Sequence, residues 1–266
     1  MDITLDPDRL RRRLFYVIAF IALLGLCAEA AYLEWDGDAA EPFMDTFSLS
    51  EERNVPTWFS AMTHVVSGCL LALIAMSVRR KGGPFTAHWA GLSAAFFFIS
   101  LDESITIHEE MHGVVDGGGG AFYFNWIIPA SGILLLGGLA YLRFLKHLPA
   151  RSRRDFMIAG SIFVGGALLM EIPLGLWTDA NGSSNMGYVL IDAVEETMEM
   201  VGSALFIVAL IRHLGGPSGT VNVRLGDDSS RVEPPANDDS LVERAGHRLG
   251  AAALASLTSD EDRREG

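Results

Sequence analysis

The sequence predicts an all-α, polytopic membrane fold: a bundle of six transmembrane helices followed by a disordered C-terminal tail. Three observations carry this. Half of the 266 residues are hydrophobic, and they fall in blocks of about 20, the length a helix needs to cross a hydrocarbon core. Lys and Arg are confined to a few clusters, as they are in the cytoplasmic loops of multi-spanning proteins. The mean hydropathy is positive (+0.28) although the formal net charge is −13.

Taken in order, Arg11-Arg12-Arg13 precede a first apolar run at 14–33, interrupted by Glu29. That interruption and the length of the run argue for an uncleaved span and against a signal peptide. An acidic loop follows, with Glu34, Asp36, Asp38, Glu41, Asp45, Glu51 and Glu52 and the single basic residue Arg53. The second span, 55–78, opens on Val55-Pro56, because proline is tolerated in a first helical turn, and ends at Arg79-Arg80-Lys81. The third, 87–112, carries Leu101-Asp102-Glu103-Ser104-Ile105-Thr106-Ile107-His108-Glu109-Glu110-Met111-His112-Gly113 at its far end.

Gly117 to Gly120 read as a flexible connection; they lack the Gly-Lys-Ser/Thr of a phosphate loop. The fourth span is 122–144, with Tyr123 and Trp126 as interfacial anchors, and a basic loop from Arg143 to Arg154 follows it. Span five, 156–177, contains Gly165-Gly166, Glu171 and Pro173; span six, 188–211, contains Asp192, Glu195, Glu196 and Glu199. Residues 1–213 thus form the spanning domain. The tail, 214–266, is polar and expected to be cytoplasmic and mostly disordered, with a short Ala-rich helix at 240–257.

Six spans put all three basic groups on one side, which implies an inner-membrane protein with both termini in the cytoplasm. At 1.5 Å per residue, Glu29, His64, Asp102, Glu103, Glu171 and the acids of the sixth span then share one slab in the outer half of the bilayer. Within the sixth span, Asp192, Glu195, Glu196 and Glu199 occupy about a quarter to a third of the helix circumference, so they should face the bundle interior. The third span is less coherent. Asp102 pairs with Glu109, Glu103 with Glu110 and His108 with His112, on three different faces, so the helix must end or bend near His108 to bring them together.

Between residues 14 and 78 the only basic residue is Arg53, and no Lys or Arg occurs from 82 to 142 or from 155 to 211. Clustered buried carboxylates without cationic partners must take up protons, bind a cation or lean on histidine. A divalent metal (zinc, iron or manganese) is the first expectation. His108, Glu109, Glu171 and Glu199 would be its ligands, with Asp102, Glu103, His112, Glu195, Glu196, Asp192 and His64 as alternates or supporting residues. Glu109-x-x-His112 has the spacing used in di-iron carboxylate bundles, although those carry it twice.

Ser60-x-x-x-His64, Asp102 and His108-x-x-x-His112 resemble the Ser, Asp and three-His set of the membrane hydrolase superfamily that includes alkaline ceramidases. This resemblance implies a zinc-bound water attacking an amide or ester. It covers five residues over about 50 positions, and the family has seven spans with its His pair on the last. The likeness is therefore an analogy, from which no membership follows.

A metal-dependent hydrolase or oxidase acting on a lipid-like substrate, with membrane lipid as partner, is the functional expectation. The alternatives are a proton- or cation-coupled carrier using the same carboxylates, with Gly165-Gly166 and Pro173 breaking the fifth span, and a structural membrane subunit. Nucleic acid is excluded by the absence of a basic patch. Cys27 and Cys69 lie in apolar runs and read as packing residues.

Overall fold

A computed structural model describes residues 2–35, 37–107, 119–216 and 219–224. The chain divides into two units. One combines Met1–Ile3 with Arg224–Gly266, and of it only Asp2, Ile3 and Arg224, all in strand, are described. The other is Thr4–Val223, and its described residues hold seven α-helices. Strands β1 (Asp2–Leu5) and β2 (Val221–Arg224) make a two-stranded sheet.

Helix α1 (Pro7–Glu34) starts where it does because Asp6 accepts from the backbone N–H groups of Asp8 and Arg9, with proline in the first turn. Helix α2 is Gly37–Phe47. Asn54 caps α3 (Val55–Arg80) in the same manner, and Arg79 and Arg80 close it against the carbonyl end of its dipole. Helix α4 (Thr86–Ile105) ends at Thr106, which adopts a left-handed conformation, φ 59°. Helix α5 is Ile127–His147.

Helix α6 (Ala150–Asn181) is α-helical to Val164, widens to a π turn over Gly165–Met170, and resumes from Glu171. The last helix, α7 (Met186–Leu214), is capped by Asn185.

Helix α7 is the axis of the bundle. It packs against α1, α3 and α6, and its second half, Gly202 to Ile211, is nearly all buried. Gly202 permits the closest approach: a β-carbon there would stand 2.6 Å from the Phe163 backbone nitrogen on α6. One apolar cluster joins Leu71 and Ile74 of α3, Trp89 of α4, Phe144 of α5, Phe156 of α6 and Phe206 of α7. A second joins Ile18 and Ile21 of α1 to Leu49 and to Ala193, Met200 and Ala204 of α7. At the C-terminal end of α7, Arg212 bridges Asp8 (2.7 Å) and Asp155 (3.6 Å).

The all-α architecture holds, and the six-span count does not. Among the described residues, four helices are long and apolar enough to cross a membrane: Pro7–Glu34, Val55–Arg80, Ile127–His147 and Ala150–Asn181. Helices α4 and α7 are not among them. Between 11% and 44% of each candidate window is buried within the chain, and intramolecular packing around α7 organises the whole. The six-span membrane bundle is therefore corrected to an all-α bundle with seven helices among the described residues. The inner-membrane placement, the cytoplasmic termini and lipid as partner rested on six alternating crossings and are withdrawn with them.

The third apolar segment also stops short of its expected end at 112, because the helix terminates at Ile105. Outside the core, α1, α3 and α5 present exposed large apolar side chains, among them Phe20, Leu23, Leu73, Ile133, Leu135 and Leu136. The tail and its expected helix at 240–257 lie outside the described residues.

Candidate functional site: a carboxylate-lined cavity

Near the N-terminal end of α7 the helices part around a cavity of about 250 Å³. Eight carboxylates line it: Glu51 and Glu52 from the α2–α3 connection, Asp102 and Glu103 from the last turn of α4, Glu171 from α6, and Glu195, Glu196 and Glu199 from α7. Its apolar walls include Leu49, Ile99, Trp126, Leu134, Phe163 and Leu168. Among the described residues no Lys, Arg or His lines it.

Local structure explains the convergence. Helical periodicity aligns Glu195, Glu196 and Glu199 on one side of α7. The π turn of α6 inserts one residue ahead of Glu171 and rotates the remainder of the helix by about 100°, a device common where a side chain must be re-aimed. Gly165 and Gly166 make that turn compatible with close packing on α7. The indole Nε1–H of Trp126, at the entrance to α5, donates to Glu171 Oε1 at 2.9 Å.

So many like charges in a poorly hydrated space oppose ionisation. Burial, then Glu171, Glu199 and Asp192, push Glu195 up to about 10. Burial and the neighbouring acids likewise hold Glu196 and Glu199 well above the usual carboxylate range. Glu195 is 6% exposed, and its Oε2 has no hydrogen-bond partner among the described residues. Glu196 and Glu199 retain more accessible surface, at the cavity they line.

Asp192 stands one turn before these acids but does not line the cavity. It accepts from Ser50 Oγ at 2.7 Å. Burial first, partly offset by that hydrogen bond, and then Glu29 and Glu51 raise it to about 6.

Of the residues singled out from the sequence, Glu171, Glu195, Glu196, Glu199, Asp102 and Glu103 come together. His64 does not. It is 1% exposed, its Nε2 lies 3.0 Å from Ser203 Oγ, and it packs between Phe96 and Phe163. His108, Glu109 and His112 lie outside the described residues. Glu51 and Glu52 were legible only as acids of a polar loop, and Trp126 only as an interfacial anchor. No spacing linked them to the helices they meet.

The metal expectation is corrected. Among the described residues no three His, Cys, Asp or Glu side chains are grouped to hold a metal ion. The physical reason is that the carboxylates spread over the walls of a cavity and do not converge on one point, and the imidazole of His64 is turned into the bundle. The zinc, iron or manganese centre and the metal-dependent lipid hydrolase or oxidase built on it are withdrawn. The resemblance to the ceramidase-type set fails on the same geometry, since His64 bonds Ser203 while Asp102 lines the cavity.

Residues 15–214 match the family model described as Domain of unknown function (DUF8692), a stretch that contains the whole of α2 to α7 and every residue of the cavity. The chain belongs to the DUF8692 family. No curated protein and no solved structure matches it. The cavity is thus a feature of the DUF8692 region itself, and the segment beyond Leu214 is outside the match.

Proposed function

We propose that the chain binds a small organic cation of the amine class in the acidic cavity. The observation that carries this is Glu195. Its Oε2 is buried and without a hydrogen-bond partner among the described residues, at the wall of a cavity that holds seven further carboxylates. An alkylammonium offers Glu195 a positive charge and several N–H donors at once. Trp126 and Phe163 add aromatic surface, which favours organic cations over small hydrated ions. A volume of about 250 Å³ is at the small end for ligand sites and suits a compact amine or diamine.

Binding is favoured over catalysis because no Ser, Thr, Cys or Lys nucleophile paired with a base lines the cavity among the described residues; its one hydroxyl is that of Thr57, which donates to Asn54.

The protonated acids must ionise as the cation enters, so uptake of an amine and release of protons are coupled. The test is equilibrium binding of 1,4-diaminobutane to the full chain at pH 8, beside a Glu195→Gln, Glu199→Gln double variant. Saturable binding weakened at least tenfold in the variant supports the proposal. Absence of binding, or equal affinity in the two proteins, overturns it.

A further inference from the structure

Part of the cavity wall is loop: the α2–α3 connection contributes Leu49, Glu51 and Glu52. This loop is pinned from two helices by carboxylates that do not themselves line the cavity. Ser48 Oγ donates to Glu29 on α1, and the Ser50 backbone N–H approaches the same oxygen at 3.3 Å. Ser50 Oγ donates to Asp192 on α7. Between these anchors Leu49 fills a notch in α1: a β-carbon on Gly25 would stand 2.6 Å from Leu49 Cγ. After them Arg53 takes a left-handed conformation, φ 62°, and Asn54 Nδ2 donates to the carbonyls of Ser48 and Glu51. A backbone strained at a non-glycine residue persists only while its surroundings hold it.

We propose that Asp192 is a positioning residue: through Ser50 it holds the 48–54 loop, and with it Glu51 and Glu52, against the cavity, so that loop closure and cation occupancy reinforce each other. The coupling rests on the cation-binding reading above; the hydrogen-bonded latch does not.

A carboxylate accepts a hydroxyl hydrogen bond most strongly when ionised. Burial and two acids oppose the ionisation of Asp192, Glu29 from α1 and Glu51 from the loop; Tyr188, Glu195, Glu196 and Glu199 on α7 itself also face it, and its charge in turn holds their protons on. From α6, Glu171 acts on Glu195. The α3 titratable group that faces α7, His64, is engaged with Ser203. With Asp192 raised to about 6, its charge changes between mildly acidic and neutral pH. A cation in the cavity relieves the repulsion, keeps Asp192 ionised and strengthens the Ser50 bond. By linkage, protonation of Asp192 loosens the loop and weakens the cation to the same degree.

Hydrogen exchange of the peptide spanning 48–54, corrected for intrinsic rates, tests the latch in the full ligand-free chain. At pH 8 the wild-type loop should be protected and at pH 5 that protection should fall several-fold. Ser50→Ala should be unprotected at both values, Ser50→Thr should restore protection, and Asp192→Asn should remove the pH response. Unchanged exchange across α7 serves as the folding control for every variant.

Equal loop exchange in wild type and Ser50→Ala at pH 8, or a wild-type pH response in Asp192→Asn, overturns the proposal. Titration with 1,4-diaminobutane separates the two claims. A latch that passes while the diamine fails to bind refutes the cation reading and the coupling. A diamine that binds without raising wild-type loop protection at pH 6 refutes the coupling alone.

Discussion

Gly166 and Glu195 touch through their backbones: a β-carbon placed on Gly166 would stand 2.9 Å from the Glu195 carbonyl oxygen and equally close to Glu199 Cγ. The acid-bearing side of α7 therefore reaches the π turn of α6 only because residue 166 has no side chain. Gly166→Ala should force the helices apart and cost about 1–3 kcal/mol, the usual range for overpacking. Chemical denaturation measures it, and Gly160→Ala, where a β-carbon meets open space, is the control expected to change little.

The pH dependence of stability follows from the raised acids. Glu195 is protonated in the fold up to about 10, whereas the unfolded chain releases that proton near 4.5. The folded state then holds more protons than the unfolded state across this window. The contribution of Glu195 is fully present below about 4.5 and is lost as pH rises towards 10. Asp192 acts in the same direction between 3.8 and about 6. The melting temperature of the ligand-free protein should fall from pH 5 to pH 9, with a slope of up to about 1.4 kcal/mol per pH unit for each such proton. Glu195→Gln should flatten the profile and raise stability at pH 9.

Trp126 holds Glu171 through its indole N–H. Trp126→Phe keeps an aromatic ring and removes that donor. It should cost roughly 1–2 kcal/mol in a denaturation experiment, the scale of a lost hydrogen bond to a buried acid. Diamine affinity should fall by less than it does in the Glu195→Gln, Glu199→Gln variant.

The exposed face of α5 leaves Ile133, Leu135, Leu136 and Leu139 uncovered by the rest of the chain. Apolar surface of this extent associates with whatever apolar surface is offered. Light scattering should show the purified chain associating in buffer without amphiphile, and Leu135→Gln, Leu136→Gln and Leu139→Gln together should reduce that association. A monodisperse wild-type chain in such buffer would show that α5 needs no cover.

Much of the site was legible because its physics is local. The spacing of Asp192, Glu195, Glu196 and Glu199 places them on one side of a helix, and the lack of Lys and Arg in the apolar segments is visible by inspection. Depth along a helix was legible as well, which is how Glu171 was matched to the α7 acids. Direction around the axis was not: His64 sits on the bundle axis against Ser203, and no residue spacing reveals that.

Nor does a set of donors disclose whether its oxygens meet at a point or spread over a wall, and the metal expectation failed on that difference. The six-span count failed because apolar blocks were weighed by length, and length does not disclose that the chain packs them against one another around α7. Glu51 and Glu52 were out of reach because a loop's landing place depends on tertiary anchors, here Glu29 and Asp192.

The most direct test of the central claim is the proton count on ligand binding. Calorimetric titration of the full chain with 1,4-diaminobutane at pH 8, in two buffers of different ionisation enthalpy, gives it. Saturable binding with net proton release, lost in the Glu195→Gln, Glu199→Gln variant, is the predicted result. No binding heat in either buffer, or binding without proton release that survives in the variant, would contradict an amine-binding, proton-loaded cavity.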